Sequence, residues 1–203
     1  MMLPRGFVYL DEAAEGMFWD AKYAGGDNFM GRPADGYRVN RIVLSREAAE
    51  ALKKAGEKAA ALGFTFFVFD AYRPARAVRD FCAWAEAEGD EARKQIHYPN
   101  IDKRELIPQG YIAPRSGHSR GSAIDLTLCE KNGVCLDMGG IFDLMDPVSW
   151  HGCPSVSAEQ TRNRETLRSV MLKSGFCDYD KEWWHYRLEN EPYPNEYFDF
   201  EIE

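Results

Sequence analysis

The segment SGHSRGSAIDLTL (116–128) sets the architecture. From Ser122 onward, Ala123, Asp125 and Thr127 alternate with Ile124, Leu126 and Leu128. That period of two predicts a strand with one apolar face. Gly117 and Gly121 bracket His118 and free the backbone to place its imidazole. Asp125 falls on the polar face among small residues, where a carboxylate is costly to bury unless it is paired or bound to a metal. Just beyond, Asn132-Gly133 signals a hairpin turn with a return strand near 134–136.

The flanking segments read as alternating helices and strands. Ser45 caps a helix over 45–62 that is rich in Ala, Leu, Glu and Lys, and Gly63 stops it. FTFFVFDAY (64–72) is short, aromatic and β-branched, a buried strand. Pro74 sits in the first turn of a second helix that runs through Trp84 to Glu88 and ends near Gly89. Residues 90–115 hold Pro99, Pro108, Gly110 and Pro114 and predict a long ordered loop. Ser157-Ala-Glu-Gln160 is a capping box for a helix that stops at Gly175, and EWWHYRL (182–188) is an aromatic strand. No repeat or linker divides the chain. The expectation is one α+β domain over residues 1–203, its mainly antiparallel sheet flanked by helices.

Composition narrows the function classes. The 203 residues carry 25 Lys plus Arg against 33 Asp plus Glu, a formal charge of −8. Without a basic block, that balance argues against nucleic acid or an anionic membrane as main partner. No apolar run is long enough to span a bilayer. The opening MMLPRGFVYLDE has only four consecutive apolar residues before Asp11, too few for a secretory core. The chain therefore reads as cytoplasmic, or as mature after loss of a leader. Cys82, Cys129, Cys135, Cys153 and Cys177 form no C-x-x-C, which suits free thiols in a reducing compartment. Cys129 and Cys135 could face each other across the hairpin, but buried small hydrophobes are the plainer expectation.

The chemistry gathers in two places. His118 and Asp125 lie in the first segment, and Glu182 and His185 lie in Glu182-Trp-Trp-His185. Two His, one carboxylate and an open position make a hydrolytic zinc site. An unligated carboxylate must then move the proton of the attacking water, and Glu182 is the candidate. On a regular strand, residues three apart point to opposite faces. Glu182 must therefore sit at the strand's start or on a bulge to share a cavity with His185. Taken singly, His118 is compatible with a satisfied loop histidine, Asp125 with a carboxylate bonded to backbone amides, and Glu182 with a solvated turn residue. His97 has no ligand spacing, and His151 reads as a surface-loop residue near the site mouth. Trp183 and Trp184 read as core and cavity wall.

The pattern S-x-H-x-x-G-x-A-x-D followed by E-x-W-H resembles the signature of the D-alanyl-D-alanine dipeptidases, the VanX group of zinc peptidase family M15. WDAKYAGGDNF (19–29), GYRVNRIV (36–43), DAYRP (70–74), YPNID (98–102) and EPYPNEYFDF (191–200) are similar to that family as well. The likeness covers nearly the whole chain. It implies a zinc site on the sheet, with one Zn²⁺ per chain held by His118, Asp125 and His185, and Glu182 as general base and acid. It implies Arg73 as the transition-state arginine, whose alternative is a structural salt bridge after the strand. Tyr23 and Asp143 match positions for the substrate ammonium, and Ser116 a further substrate contact. Asp143 could instead be a loop cap and Tyr23 a half-buried core aromatic.

The implied reaction is hydrolysis of D-alanyl-D-alanine to two D-alanines, in cell-wall precursor metabolism or glycopeptide resistance, with a small dipeptide as substrate and neither nucleic acid nor membrane as partner. The nearest alternative is a related D-Ala-D-Ala or muramoyl-peptide carboxypeptidase. Two further classes are a non-catalytic metal-binding module and a non-heme iron oxygenase.

Overall fold

A computed structural model describes residues 3–203. Met1 and Met2, which open the segment read for an export signal, lie outside the described residues. In chain order the elements are β1 (Phe7–Tyr9), α1 (Leu10–Ala13), β2 (Phe18–Trp19), β3 (Val43–Ser45), α2 (Arg46–Ala61), β4 (Phe64–Asp70) and α3 (Ala75–Glu86). Then follow α4 (Lys94–His97), β5 (Ala123–Glu130), α5 (Ala158–Leu172), β6 (Phe176–Tyr179) and β7 (Glu182–Leu188). Short 3-10 turns punctuate the loops, among them Gly117–Arg120.

Five strands form a sheet in the order β2-β4-β5-β7-β6. The β4–β5, β5–β7 and β7–β6 pairs are antiparallel and only β2 runs parallel, to β4. β1 and β3 form a separate antiparallel pair. The expected α+β architecture is present, and its longest elements fall where local chemistry puts them. The Ser45 hydroxyl accepts the Ala48 N–H at 3.3 Å. Ala48, Leu52, Ala55 and Ala59 then bury one stripe of α2 against β4. Gly63 takes φ +91°, which lets the chain reverse into β4. Pro74 stands at the N-cap of α3, one residue before the expected first turn. Ala87 is extended, so that helix ends at Glu86 rather than Glu88. The Ser157–Gln160 capping box forms with bonds of 2.8 and 3.2 Å.

Three expectations need correction. β5 is buried on both faces from Ala123 to Cys129, not on one. It is a central strand, and its polar face is roofed by Arg73 and by the loop bearing Phe142 and Asp143. The return strand after Asn132-Gly133 shrinks to a single bridge between Cys129 and Cys135. The turn itself forms, with Gly133 at φ +87° and Glu130 N–H bonded to Val134 O at 2.9 Å. Beyond Leu136 the start of α5 diverts the chain: Gln160 donates to the Asp137 carboxylate and Asn163 to its carbonyl. The two cysteines do face each other, and Cys135 is exposed rather than buried. Within 90–115 the loop contains α4 and a 3-10 turn at Lys103–Glu105.

Candidate metal centre and active site

The sheet ladder brings two side chains together. Asp125 on β5 is directly opposite His185 on β7, and residues opposite across a ladder share a face. His118 arrives from the 3-10 turn before β5. Ser116 caps that turn, its hydroxyl accepting the His118 N–H at 3.3 Å. Gly121 closes it at φ +82°, where a Cβ would lie 2.3 Å from the Phe7 ring. Neither that dihedral nor that space admits a side chain.

The ligating atoms converge. His118 Nε2 is 3.1 Å from His185 Nδ1 and 3.3 Å from Asp125 Oδ2, and His185 Nδ1 is 3.0 Å from Asp125 Oδ1. A tetrahedral zinc with bonds of about 2.0 Å has ligand–ligand edges of about 3.3 Å. The Asp125 contacts run to its two different oxygens; taking one ligand atom from each residue, all three lie within 4.8 Å of one another, a donor set that would hold one zinc at the cavity wall. The donor chemistry fits too. His118 Nδ1 donates to the Ala71 carbonyl at 2.6 Å, so Nε2 keeps its lone pair for a cation. Burial works against the Asp125 charge, but the His118 and His185 imidazoles hold its carboxyl far below the usual range.

Asp70 lies behind this triad and was missed by sequence reasoning. It pairs with Asp125 across the β4–β5 ladder, so two buried carboxylates face each other. Arg73 lies between them, donating to Asp70 Oδ2 at 2.9 Å and reaching Asp125 Oδ2 at 3.4 Å. Tyr37 donates to Asp70 Oδ1 at 2.7 Å. Without Arg73, Asp70 would lose its cationic partner beside a second buried carboxylate. The salt-bridge alternative for Arg73 is thus real, and the same side chain also lines the cavity. A carboxylate ending the apolar run FTFFVFD was the available signal, since it needs a buried partner.

Glu182 solves the strand-parity problem by irregularity. Between Asp178 and Tyr179, β6 advances one residue while its β7 partner moves from Tyr186 back to Glu182. Glu182 therefore opens β7 off register and puts its Oε2 3.8 Å from His185 Nδ1. Burial raises its carboxyl to about 7, with His185 opposing. A group with a pKa near neutrality can both take and return a proton at neutral pH.

Tyr23 and Asp143 close the other end. The Tyr23 hydroxyl donates to Asp143 Oδ2 at 2.7 Å, and both residues are buried. Burial pushes the Asp143 carboxyl well above its ordinary range, with the Tyr23 bond opposing. A cation placed beside it would restore the charged form. Tyr23, Arg73, Ser116, Asp143 and Glu182 all border one cavity of about 240 Å³ with the His118–Asp125–His185 cluster. The structure brings together every residue singled out for the site. Trp184 forms part of its wall, and Trp183 lies buried behind it. His151 is not at the mouth: it is half-buried beside Asp178, with its Nε2 4.0 Å from that carboxylate.

A family model, Peptidase_M15, described as D-ala-D-ala dipeptidase, matches residues 4–203. The chain belongs to this family. M15 peptidases are zinc-dependent, in keeping with the donor set found here. A D-alanyl-D-alanine dipeptidase of Enterococcus faecium is 52% identical over 198 residues, covering 97% of this M15 chain and 98% of the relative. The D-alanyl-D-alanine dipeptidase of Streptomyces coelicolor is 49% identical over 197 residues, with 97% and 98% covered. Among solved structures, the LdcB LD-carboxypeptidase aligns with a TM-score of 0.50 at 17% identity, over 94% of this chain and 71% of that one. That likeness concerns the fold.

Proposed function

We propose that the whole chain acts as one domain that hydrolyses D-alanyl-D-alanine to two D-alanines, using one zinc ion held by His118, Asp125 and His185. The observation that carries this reading is the convergence of the His118, Asp125 and His185 donors, with Glu182 Oε2 3.8 Å from His185 Nδ1, in a small cavity that Tyr23 and Asp143 also line. Bound zinc supplies an acidified water and a Lewis acid for the scissile carbonyl. The protein's own groups do the rest. Glu182 takes the proton from the water as the new C–O bond forms. Arg73, fixed by Asp70, stabilises the oxyanion of the tetrahedral intermediate. As the C–N bond breaks, Glu182 returns its proton to the leaving amine.

Substrate choice follows from the closed end. Asp143 and the Tyr23 hydroxyl take the free ammonium, and Ser116 contacts the substrate further along. A blocked amine would leave Asp143 buried without a cation and would collide with the end wall. Among the described residues no helix is long and apolar enough to cross a membrane. The five free cysteines suit a reducing compartment, and the reading places the enzyme in the cytoplasm.

The test is a dipeptide panel, with and without a chelator. The expected result is chelator-sensitive cleavage of D-Ala-D-Ala, little cleavage of L-Ala-L-Ala, and none of N-acetyl-D-Ala-D-Ala. Equal or better cleavage of the acetylated compound would contradict the closed-end reading and favour a carboxypeptidase. A metal-loaded protein inert on every dipeptide would make the chain a binding module.

A further inference from the structure

His97 borders neither the metal donors nor the cavity, yet it is 3% exposed, and both its ring and its carbonyl bond to the chain at Asp143 and Met145. We infer that His97 is a positioning residue for the ammonium end of the substrate: it holds Asp143 in the backbone conformation that points its carboxyl at Tyr23 and the cavity. This inference rests on the dipeptidase reading above and deepens it.

Asp143 has φ +58°, and among the described residues Asp90 is the only other non-glycine with positive φ. An L residue in that region is strained, and Asp tolerates it better than most. The conformation therefore needs holding. His97 clamps the chain as it leaves the strained residue. Its Nδ1–H donates to the Asp143 carbonyl at 3.2 Å, and its own carbonyl accepts the Met145 N–H at 2.7 Å. One residue thus fixes the 143–145 peptide path by side chain and main chain together.

The imidazole's own state is also fixed. A carbonyl can only accept, so Nδ1 carries the hydrogen and Nε2 carries the lone pair. Arg93 faces Nε2 at 3.4 Å as a donor, and is itself tied to Asp27 at 2.8 Å and to the Asn28 carbonyl at 3.2 Å. Burial, helped by Arg93 and opposed by the bond to the Asp143 carbonyl, holds the imidazole down to about 4, which keeps it neutral across the working range. The path Asp27–Arg93–His97–Asp143 then ends on the Tyr23 hydroxyl, 2.7 Å from the Asp143 carboxyl. On the other side of the loop, Phe142 stacks on Phe69 with ring centroids 4.8 Å apart, so Asp143 is pinned from both directions.

The experiment compares wild type, His97→Leu and His97→Asn, all zinc-loaded. Asn keeps an N–H donor near the position of Nδ1, whereas Leu removes it. Leu should raise KM for D-Ala-D-Ala by about tenfold, the size of one buried hydrogen bond. It should leave kcat within about threefold and zinc at one per chain. Its preference for the free over the N-acetylated dipeptide should fall, and Asn should restore most of both losses. In an Asp143→Asn background, His97→Leu should add almost nothing, because the two residues act as one unit.

Unchanged KM and preference in a folded His97→Leu protein would overturn the inference. So would a loss of kcat alone, or full additivity with Asp143→Asn, either of which marks a general structural role. Should the Leu variant fail to fold, Arg93→Met removes only the partner of Nε2. It should raise KM by about threefold, and an unchanged KM would overturn the inference. A wild-type chain inert on the dipeptide would fail at an earlier point, sinking the dipeptidase reading itself.

Discussion

The two ends of the cavity are built on different principles. At the metal end, Asp125 and His185 are opposite each other on paired strands, and His118 comes from a tight turn immediately before one of them. The ladder sets Asp125 against His185, and the turn brings His118 Nε2 to 3.1 Å from His185 Nδ1 and 3.3 Å from an Asp125 oxygen. At the ammonium end, Tyr23 lies in the 3-10 turn Lys22–Ala24 and Asp143 in a loop with a strained backbone. Their contact is held by side chains reaching in from α4 and by aromatic packing. A reaction centre that must hold a fixed geometry sits on the sheet. A recognition group that must match one substrate sits on loops clamped from behind.

Breaking the metal end should cost most. Glu182→Ala should lower kcat by about a thousandfold, the usual scale for a lost acid–base group, while elemental analysis still finds zinc. Near-normal turnover would mean that another group moves the proton.

The second test uses pH to loosen the loop end. Between pH 6.5 and about 4 the unfolded chain binds a proton at His97 that the folded chain refuses. Stability is therefore fully present above 6.5 and falls as pH drops through that window. The contribution lost by pH 4.5 is about 2–3 kcal/mol. Urea unfolding at pH 7 and pH 4.5 should show a smaller acid loss in His97→Asn than in wild type. Equal losses would show that His97 is not held neutral.

Asp143→Ala should cut kcat/KM for D-Ala-D-Ala by roughly ten- to a hundredfold, the range for a hydrogen bond to a charged group. The loss should appear mainly in KM, in contrast to Glu182→Ala. Equal effects on both constants would erase the distinction between the two ends.

The smallest effect concerns the hairpin that leads into the Asp143 loop. The Cys129 partner lowers the Cys135 thiol below the usual thiol range. Iodoacetamide should therefore label Cys135, which is also exposed, ahead of the other four cysteines. Mass mapping should show slower labelling in Cys129→Ala.

Much of this could be read from the chain because its signals are local. The period of two in 122–128 marked β5, glycines marked the His118 turn, and the Ser157 capping box marked α5. What escaped is set by tertiary structure. β1, β2, β3 and β6 are two to four residues long, too short for a period to register. The register slip at Asp178/Tyr179 that rescues Glu182 leaves no mark in EWWH. His97 has no ligand spacing to mark it in the sequence. Its partners are the Asp143 carbonyl and the Met145 amide, and backbone groups carry no sequence signature. Tyr37, within GYRVNRIV, carries no sign of its partner, because Asp70 lies on a different element.

Crystals of the zinc-loaded protein measured at the zinc absorption edge offer the most direct test of the central claim. The account predicts one anomalous peak per chain, about 2 Å from His118 Nε2, His185 Nδ1 and an Asp125 oxygen. A peak elsewhere, or none at saturating zinc, would contradict it.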